Sequence, residues 1–213
     1  QAESLETKQS ESLETFQALL KIAEETLRKP RPLDNFFIPN HPLGQKKNYF
    51  WDPKSGLKAF FTKVRKKDPD TLKELGTVGR IEDSQLAIVA LLRQVNVFDL
   101  SVLHQLCILS KSLRDEPWEL KKTRGKGGKN LTFKEIKEEI YQTVFFLLEQ
   151  FDGKEELKSN VINKKSQHTL KTPLINAILS CNYKLVKLLV ENGATVDELD
   201  LDTAINLKYK KPG

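Results

Sequence analysis

The residues best suited to chemistry in this 213-residue chain are His104 and Cys107, which stand one helical turn apart. An imidazole within hydrogen-bond reach of a thiol can activate it as a nucleophile, but catalysis also needs an orienting group and an oxyanion hole. A single helical turn rarely supplies all of these, and both residues lie on an apolar face. We therefore expect the pair to pack in the core, and no catalytic residue is predicted. His168 with Cys181 makes no better dyad.

Metal binding requires three or four ligands that meet at one point. The three histidines, at positions 41, 104 and 168, are widely separated along the chain, and there are only two cysteines. The sequence therefore predicts neither a metal site nor a cofactor.

A basic, glycine-rich segment at 123–132, "TRGKGGKNLT", is the second candidate for chemistry. A phosphate-binding loop of the usual kind needs Ser or Thr after its lysine and a hydrophobic strand before it, and this segment has neither. Its cations could still hold a phosphate or an acidic surface at the start of the next helix. They are Lys121, Lys122, Arg124, Lys126 and Lys129. Phosphate or nucleic-acid binding through 121–129 is thus an alternative function, ranked below a simple flexible loop.

The composition is that of a soluble globular protein, with 38% hydrophobic and 30% charged residues. The net charge of +6 comes from 35 basic and 29 acidic residues, and lysine-rich solvated faces account for so mild an excess. Two cysteines cannot form a disulfide framework, which favours a reducing, cytoplasmic compartment. The longest apolar runs, at 86–92 and 144–148, are too short to span a membrane. The absence of methionine indicates a processed or excised fragment.

The apolar periodicity predicts an all-α fold made of two parts. An irregular N-terminal helical domain is expected over 10–152, preceded by a disordered polar tail at 1–9. The polar stretch 153–169 is predicted to be a linker or an inserted loop. Residues 170–213 form the second part.

Four segments organise the predicted helical domain. A loop at 30–54 is rich in proline and aromatic residues; we expect its rings to anchor it to the core, with a peptide-binding lid as the alternative. Residues 83–95 and 99–113 predict an antiparallel helical hairpin. A capping box and a hydrophobic staple begin a long helix at 132–152.

The stretch at 171–200, "KTPLINAILSCNYKLVKLLVENGATVDELD", predicts two short amphipathic helices separated by a tight break. Asn182 is placed to cap the second helix, and Gly193 to make the left-handed turn that ends it. The stretch resembles one ankyrin repeat. Its "TPLINAI" stands where that family has Thr-Pro-Leu-His-Leu-Ala-Ala, and "KLVKLLVENGATVDELD" matches the outer helix and the turn that follows.

The chain departs from the ankyrin pattern at three positions. Ile175 replaces the usual histidine, while Leu170 and Cys181 stand where the family has glycine. A second, incomplete repeat is expected over 200–208, with Thr203 in the role of the first repeat's threonine. Because one repeat cannot bury both of its faces, it must be capped or the array must continue beyond the fragment. The helix at 132–152 is the candidate for the cap, as part of a degenerate repeat in which the polar stretch 154–169 is an inserted loop.

The resemblance implies a protein-interaction module whose partner meets the turn tips and the polar positions of the inner helix. Those positions are Lys171, Asn176, Ser180, Asp197 and Glu198. We expect all five to be dispensable for the core. A lysine-rich helical domain joined to such repeats is similar to effectors that intracellular bacteria deliver into a host cytosol or nucleus. The alternative is an enzyme of unfamiliar helical type that uses the repeats to recruit its substrate.

Overall fold

The computed structural model describes residues 2–26, 84–95, 98–115 and 133–209. Within those ranges every regular element is a helix, so the predicted all-α class is confirmed. The aromatic loop at 30–54 and the basic loop at 121–129 lie outside the described residues. The helices are α1 (Ala2–Thr26), α2 (Ser84–Arg93), α3 (Val102–Asp115), α4 (Phe133–Glu149), α5 (Glu155–Ile162), α6 (Pro173–Leu179), α7 (Tyr183–Glu191) and α8 (Glu198–Tyr209).

The structure differs from the sequence prediction in two segments that were expected to be irregular. Helix α1 begins at Ala2, so the predicted polar tail at 1–9 is helical from its second residue. Its Ala, Glu, Leu, Lys and Gln residues are good helix formers even without an apolar face. The predicted linker at 153–169 contains α5, whose Leu157, Val161 and Ile162 are buried. Three apolar residues on one face were enough to dock this short helix on the core.

Helix α1 packs against α2, the apolar helix at the centre of the molecule. Leu20 and Ala23 are the buried residues on the contact face of α1. An ion pair between Glu24 and Arg93 joins the same two helices. The ammonium of Lys154 lies 4.5 Å from the centre of the Phe16 ring, which ties α1 to the turn before α5.

Helices α3, α4, α6 and α7 form two stacked pairs. Helix α3 packs on α4, and α6 packs on α7. Between the pairs, α3 contacts α6 and α4 contacts α7. The first helix of one pair therefore lies on the first helix of the other pair, and the second helix lies on the second. One continuous hydrophobic core runs through both pairs and includes residues on either side of the predicted 153–169 linker.

Helix α8 also packs on α6, which therefore contacts α3, α7 and α8. It is one uninterrupted helix, and Thr203 lies in its middle, where the hydroxyl donates to the carbonyl of Leu199. The predicted second repeat, with Thr203 at its start, is therefore wrong in register. The helix begins earlier because Asp197 and Asp200 cap it. The Asp197 N–H donates to the Asp200 carboxylate at 2.8 Å, and the Asp200 N–H donates to the Asp197 carboxylate at 3.0 Å.

Candidate interaction surface at the helix junctions

His104 joins the two stacked pairs through both of its ring nitrogens. Nε2 lies 3.0 Å from the carbonyl oxygen of Lys171, and Nδ1 lies 2.7 Å from the Ser101 hydroxyl and 3.2 Å from the Ser101 backbone nitrogen. A carbonyl can only accept, so Nε2 carries the proton and Nδ1 accepts from Ser101. Burial lowers the pKa of His104 to about 4, which keeps the ring neutral. The imidazole is a structural bridge.

Cys107 lies fully buried one turn further along α3. Burial raises the pKa of its thiol, and a thiol that does not ionise is a poor nucleophile. Both nitrogens of His104 are already engaged with Ser101 and Lys171. The pair therefore lies in the core as expected and is not arranged as an activated thiol.

A second link, made by Asp99, joins the same two segments. The carboxylate of Asp99 accepts a hydrogen bond from the Gln167 backbone N–H at 2.6 Å. Its other oxygen lies 3.7 Å from the ammonium of Lys164. The Asp99 side chain thus holds the turn before α3 to the loop before α6, through a hydrogen bond to the Gln167 backbone and an ion pair with Lys164.

The loop before α6 closes on itself around a buried serine. The Ser166 N–H donates to the Lys171 carbonyl at 3.0 Å, and the Leu170 N–H donates to the Ser166 carbonyl at 2.8 Å. The carbonyl of Lys171 therefore accepts from both Ser166 and His104. Closing the loop so tightly leaves Leu170 with a φ of 57° and its side chain 61% exposed at the tip.

The same backbone arrangement precedes α3 and α6. Asp99 (φ 55°) stands two residues before Ser101, and Leu170 (φ 57°) stands two residues before Thr172. In both places the cap hydroxyl accepts the backbone N–H three residues later, at 3.3 Å. Ser101 and Thr172 thus cap the first helix of each stacked pair in the same way.

Sequence reasoning compared the helix at 132–152 with the ankyrin unit but missed the likeness between the starts of α3 and α6. It assigned 99–113 to a hairpin with α2 and did not compare that segment with 170–179. Only a short sequence pattern could have indicated it. In both segments a capping residue with a hydroxyl group is followed two positions later by leucine, as in Ser101–Leu103 and Thr172–Leu174. Leu103 and Leu174 are both buried.

The far end of α6 is built as the sequence predicted. Asn182 caps α7, where its side chain accepts the Leu185 N–H at 3.3 Å, and Gly193 closes that helix with a φ of 99°. Cys181, in the break between the helices, has a φ of 51°. Both positions at which this chain replaces a glycine of the ankyrin pattern, Leu170 and Cys181, therefore have left-handed backbone.

Two of the five predicted partner-binding residues are not on the surface. Asn176 and Ser180 are buried, and the Ser180 hydroxyl donates to the Ala177 carbonyl at 2.7 Å at the end of α6. Their exposure was predicted wrongly because α6 has only seven residues and packs against α3, α7 and α8 together. A helix covered from three directions has no solvent face for polar positions to occupy.

The other three predicted residues lie at or near the surface, but one of them is also structural. Lys171 is half-buried and Glu198 is exposed. Asp197 is exposed and caps α8, and the backbone N–H of Asp200 holds the pKa of Asp197 below its usual value. Burial raises the pKa of Asp200, the other half of the cap. Asp197 thus has a structural role at the start of α8 as well as an exposed position.

The loops before α6 and α8 lie side by side. Asn163 joins them, because its side chain accepts the Thr195 N–H at 2.7 Å and donates to the Gly193 carbonyl at 3.1 Å. At the two tips Leu170 and Val196 are exposed, the latter by 49%. We call the surface made by these tips the turn-tip surface. It comprises Leu170, Lys171, Val196, Asp197 and Glu198.

No group of three or more histidine, cysteine or acidic side chains in the described ranges is arranged to hold a metal ion. None of the helices described is both long and apolar enough to cross a bilayer. The sequence was compared with protein-family models, with curated proteins and with solved structures, and none of them matches.

Proposed function

We propose that this chain is a protein-interaction module of the ankyrin type, which binds a partner protein at its turn-tip surface and is not an enzyme. The observation that supports this most is the repeated junction, in which equivalent caps and equivalent left-handed residues precede α3 and α6. A stack that repeats its connecting turns presents them in a row at one edge. Rows of turns on a rigid scaffold are well suited to recognition.

The rigidity of the turns supports a binding role for them. The side chains of His104, Asp99 and Asn163 each make a hydrogen bond that holds adjacent segments together. A loop that is already held in its binding conformation loses little conformational entropy when a partner docks. More of the contact energy then appears as binding free energy. Apart from Asp197, whose carboxylate caps α8, the side chains at the tips are therefore available for recognition.

The chemistry of the turn-tip surface favours a protein partner over a small molecule. Leu170 and Val196 present apolar groups to solvent, and Lys171 and Glu198 add one charge of each sign. Apolar anchors surrounded by mixed charges are typical of protein interfaces, where the charges set the encounter rate and the register.

Capture of partners from a cell lysate by immobilised protein tests the proposal. The variant Leu170→Gly with Val196→Ser removes both apolar tips, and we expect loss of the captured partner. Because glycine relieves the positive φ at position 170, this variant stays folded. Val190→Ser, on the exposed side of α7, is the matched control and retains capture.

Two results would count against the proposal. Equal capture by the tip variant and wild type would remove the turn-tip surface from consideration. Loss of capture on changing the lysines of 121–129, with a steep decrease in binding as salt is raised, would instead favour the phosphate or nucleic-acid alternative. An effector role inside a host cell is a further part of the proposal, motivated by the lysine-rich composition and the resemblance of 170–200 to an ankyrin repeat.

A further inference from the structure

Helix α7 ends at an asparagine that is followed by glycine, and this pair of residues can react without any partner. Asn192 is the only asparagine in the sequence that glycine follows. A bond from the backbone nitrogen of the next residue to the side-chain amide carbon closes a five-membered ring, and glycine has no Cβ atom to hinder it. Gly193 is exposed, and no atom from elsewhere in the chain lies within 4 Å of the position that a Cβ atom would occupy. Water can therefore reach this peptide.

The fold restrains both groups that would react. The Asn192 Nδ2 donates to the Leu188 carbonyl at 2.8 Å, and the Gly193 N–H donates to the Val190 carbonyl at 3.1 Å. Asn192 has a ψ of 13°, which places the Gly193 nitrogen on the same side of the Cα–C bond as the Asn192 nitrogen. The nucleophile is therefore turned away from the side-chain amide, and ring closure requires rotation about this bond.

These restraints all belong to the last turn of one helix. The carbonyls of Leu188 and Val190 lie in that turn, and Val190 itself is 41% exposed. The end of a helix opens more readily than its middle, because its last carbonyls lack the regular partners of the helix interior. Opening of this turn would release Nδ2 and the Gly193 nitrogen together and allow ψ to rotate.

We propose that Asn192 is a site of spontaneous deamidation, and that opening of the last turn of α7 limits its rate. In the open turn the Gly193 nitrogen loses its proton to solvent and bonds to Cγ of Asn192. The Cγ–Nδ2 bond breaks, and Nδ2 takes up a proton and leaves as ammonia. Water then opens the cyclic imide at one of its two carbonyl carbons, and the nitrogen regains its proton. Attack at Cγ leaves an ordinary aspartate, whereas attack at the backbone carbonyl carbon leaves an isoaspartyl link with one extra backbone atom.

Either product weakens the end of α7. A carboxylate cannot donate to the Leu188 carbonyl as the amide does, and its charge lies at the negative end of the helix dipole. The isoaspartyl link also displaces Gly193, whose carbonyl accepts from the Asn163 side chain at 3.1 Å. Because Asn163 joins the loops before α6 and α8, the reaction loosens the support of the turn-tip surface.

Peptide mapping by mass spectrometry tests the proposal in the full chain, incubated for several weeks at neutral pH with and without guanidinium chloride. We expect conversion at Asn192 in both samples, at a rate at least about tenfold lower in the native chain. Leu189→Ala removes a buried side chain from α7 and should speed the native reaction, whereas Val190→Ala, at an exposed position, should leave the rate unchanged. Asn182, which a tyrosine follows, is the internal reference and should stay unconverted.

Three results would overturn the proposal. An unfolded chain that does not convert at Asn192 would show that the pair is unreactive. Equal rates in the native and unfolded chains would show that the helix end does not limit the reaction. A native chain without conversion over the same weeks would show that the turn does not open far enough.

The effect on α7 has its own test. Asn192→Asp reproduces one product, and Asn192→Gln keeps an amide while making ring closure less favourable. We expect the denaturation midpoint of Asn192→Asp to lie below that of Asn192→Gln, and equal midpoints would contradict the predicted weakening of α7. Because the reaction needs no partner, none of these results bears on the proposed function.

Discussion

The Nε2 atom of His104 lies 3.0 Å from the carbonyl oxygen of Lys171, a residue 67 positions away in the chain. This one hydrogen bond connects the first turn of α3 to the residue before the cap of α6. It also fixes the tautomer of the ring, because Nδ1 must then accept from Ser101. The histidine that most resembled a catalytic residue is the side chain that holds the two helix pairs in register.

Replacing this histidine should destabilise the fold. In His104→Ala the carbonyl of Lys171 keeps only its bond from Ser166, and a cavity opens between α3 and the next loop. We expect the free energy of unfolding to decrease by about 2–4 kcal/mol, measured by urea denaturation. His168→Ala, at an exposed position, is the control and should leave the denaturation midpoint in place. Similar midpoints for the two variants would mean that the bridge contributes nothing.

Stability should decrease in acid through the same residue. The pKa of His104 is about 4 when folded and near 6.5 when unfolded, so between these values the unfolded chain binds more protons. The contribution is complete above about pH 6.5 and is lost as the pH falls towards 4. It amounts to about 3 kcal/mol. Comparing wild type with His104→Gln at several pH values isolates it, because the carboxylates titrate in both.

Glycine at either left-handed position of the repeat should stabilise the protein. Leu170 and Cys181 hold φ values of 57° and 51°, a conformation that disfavours residues with a Cβ atom. Because glycine also increases the entropy of the unfolded chain, we expect a net gain of only about 0.5–1 kcal/mol for Leu170→Gly. Leu170→Ala keeps the strained backbone, so it should show no gain in a thermal melt. A gain as large in the alanine variant would point to loss of the exposed side chain as the cause.

Removing the cap of α8 should be costly even though the residue is exposed. Asp197→Ala deletes the acceptor for the Asp200 N–H, and we expect the denaturation midpoint to decrease. Asp202→Ala removes a carboxylate from the exposed face of the same helix and serves as the control. If both substitutions have the same small effect on the denaturation midpoint, the reciprocal cap does not stabilise α8.

Removing a buried side chain from α7 should reduce stability more than removing the cap of α8. Leu189 is fully buried in α7, so Leu189→Ala should cost about 2–5 kcal/mol through the cavity that it leaves. The next residue, Val190, is exposed, and Val190→Ala should cost little. Chemical denaturation of the two variants side by side checks which face of α7 is packed.

Local features of this protein follow from its sequence alone. The all-α class, the cap at Asn182 and the left-handed Gly193 were predicted from residues within one or two turns of each other, where the determining interactions are themselves local. The same locality explains the left-handed backbone at Leu170 and Cys181. A tight turn before or after a capped helix requires that conformation whichever side chain stands there.

The tertiary structure decided which faces of these helices are covered. Asn176 and Ser180 have the polarity of surface residues, yet they are buried because three other helices converge on α6. His104 and Lys171 meet only after α3 has stacked on α6. Side-chain periodicity records that a helix has an apolar face, but the identity of the neighbouring element depends on contacts between residues far apart in the chain. Local sequence therefore determines where the helices form, and tertiary packing determines the order in which they stack.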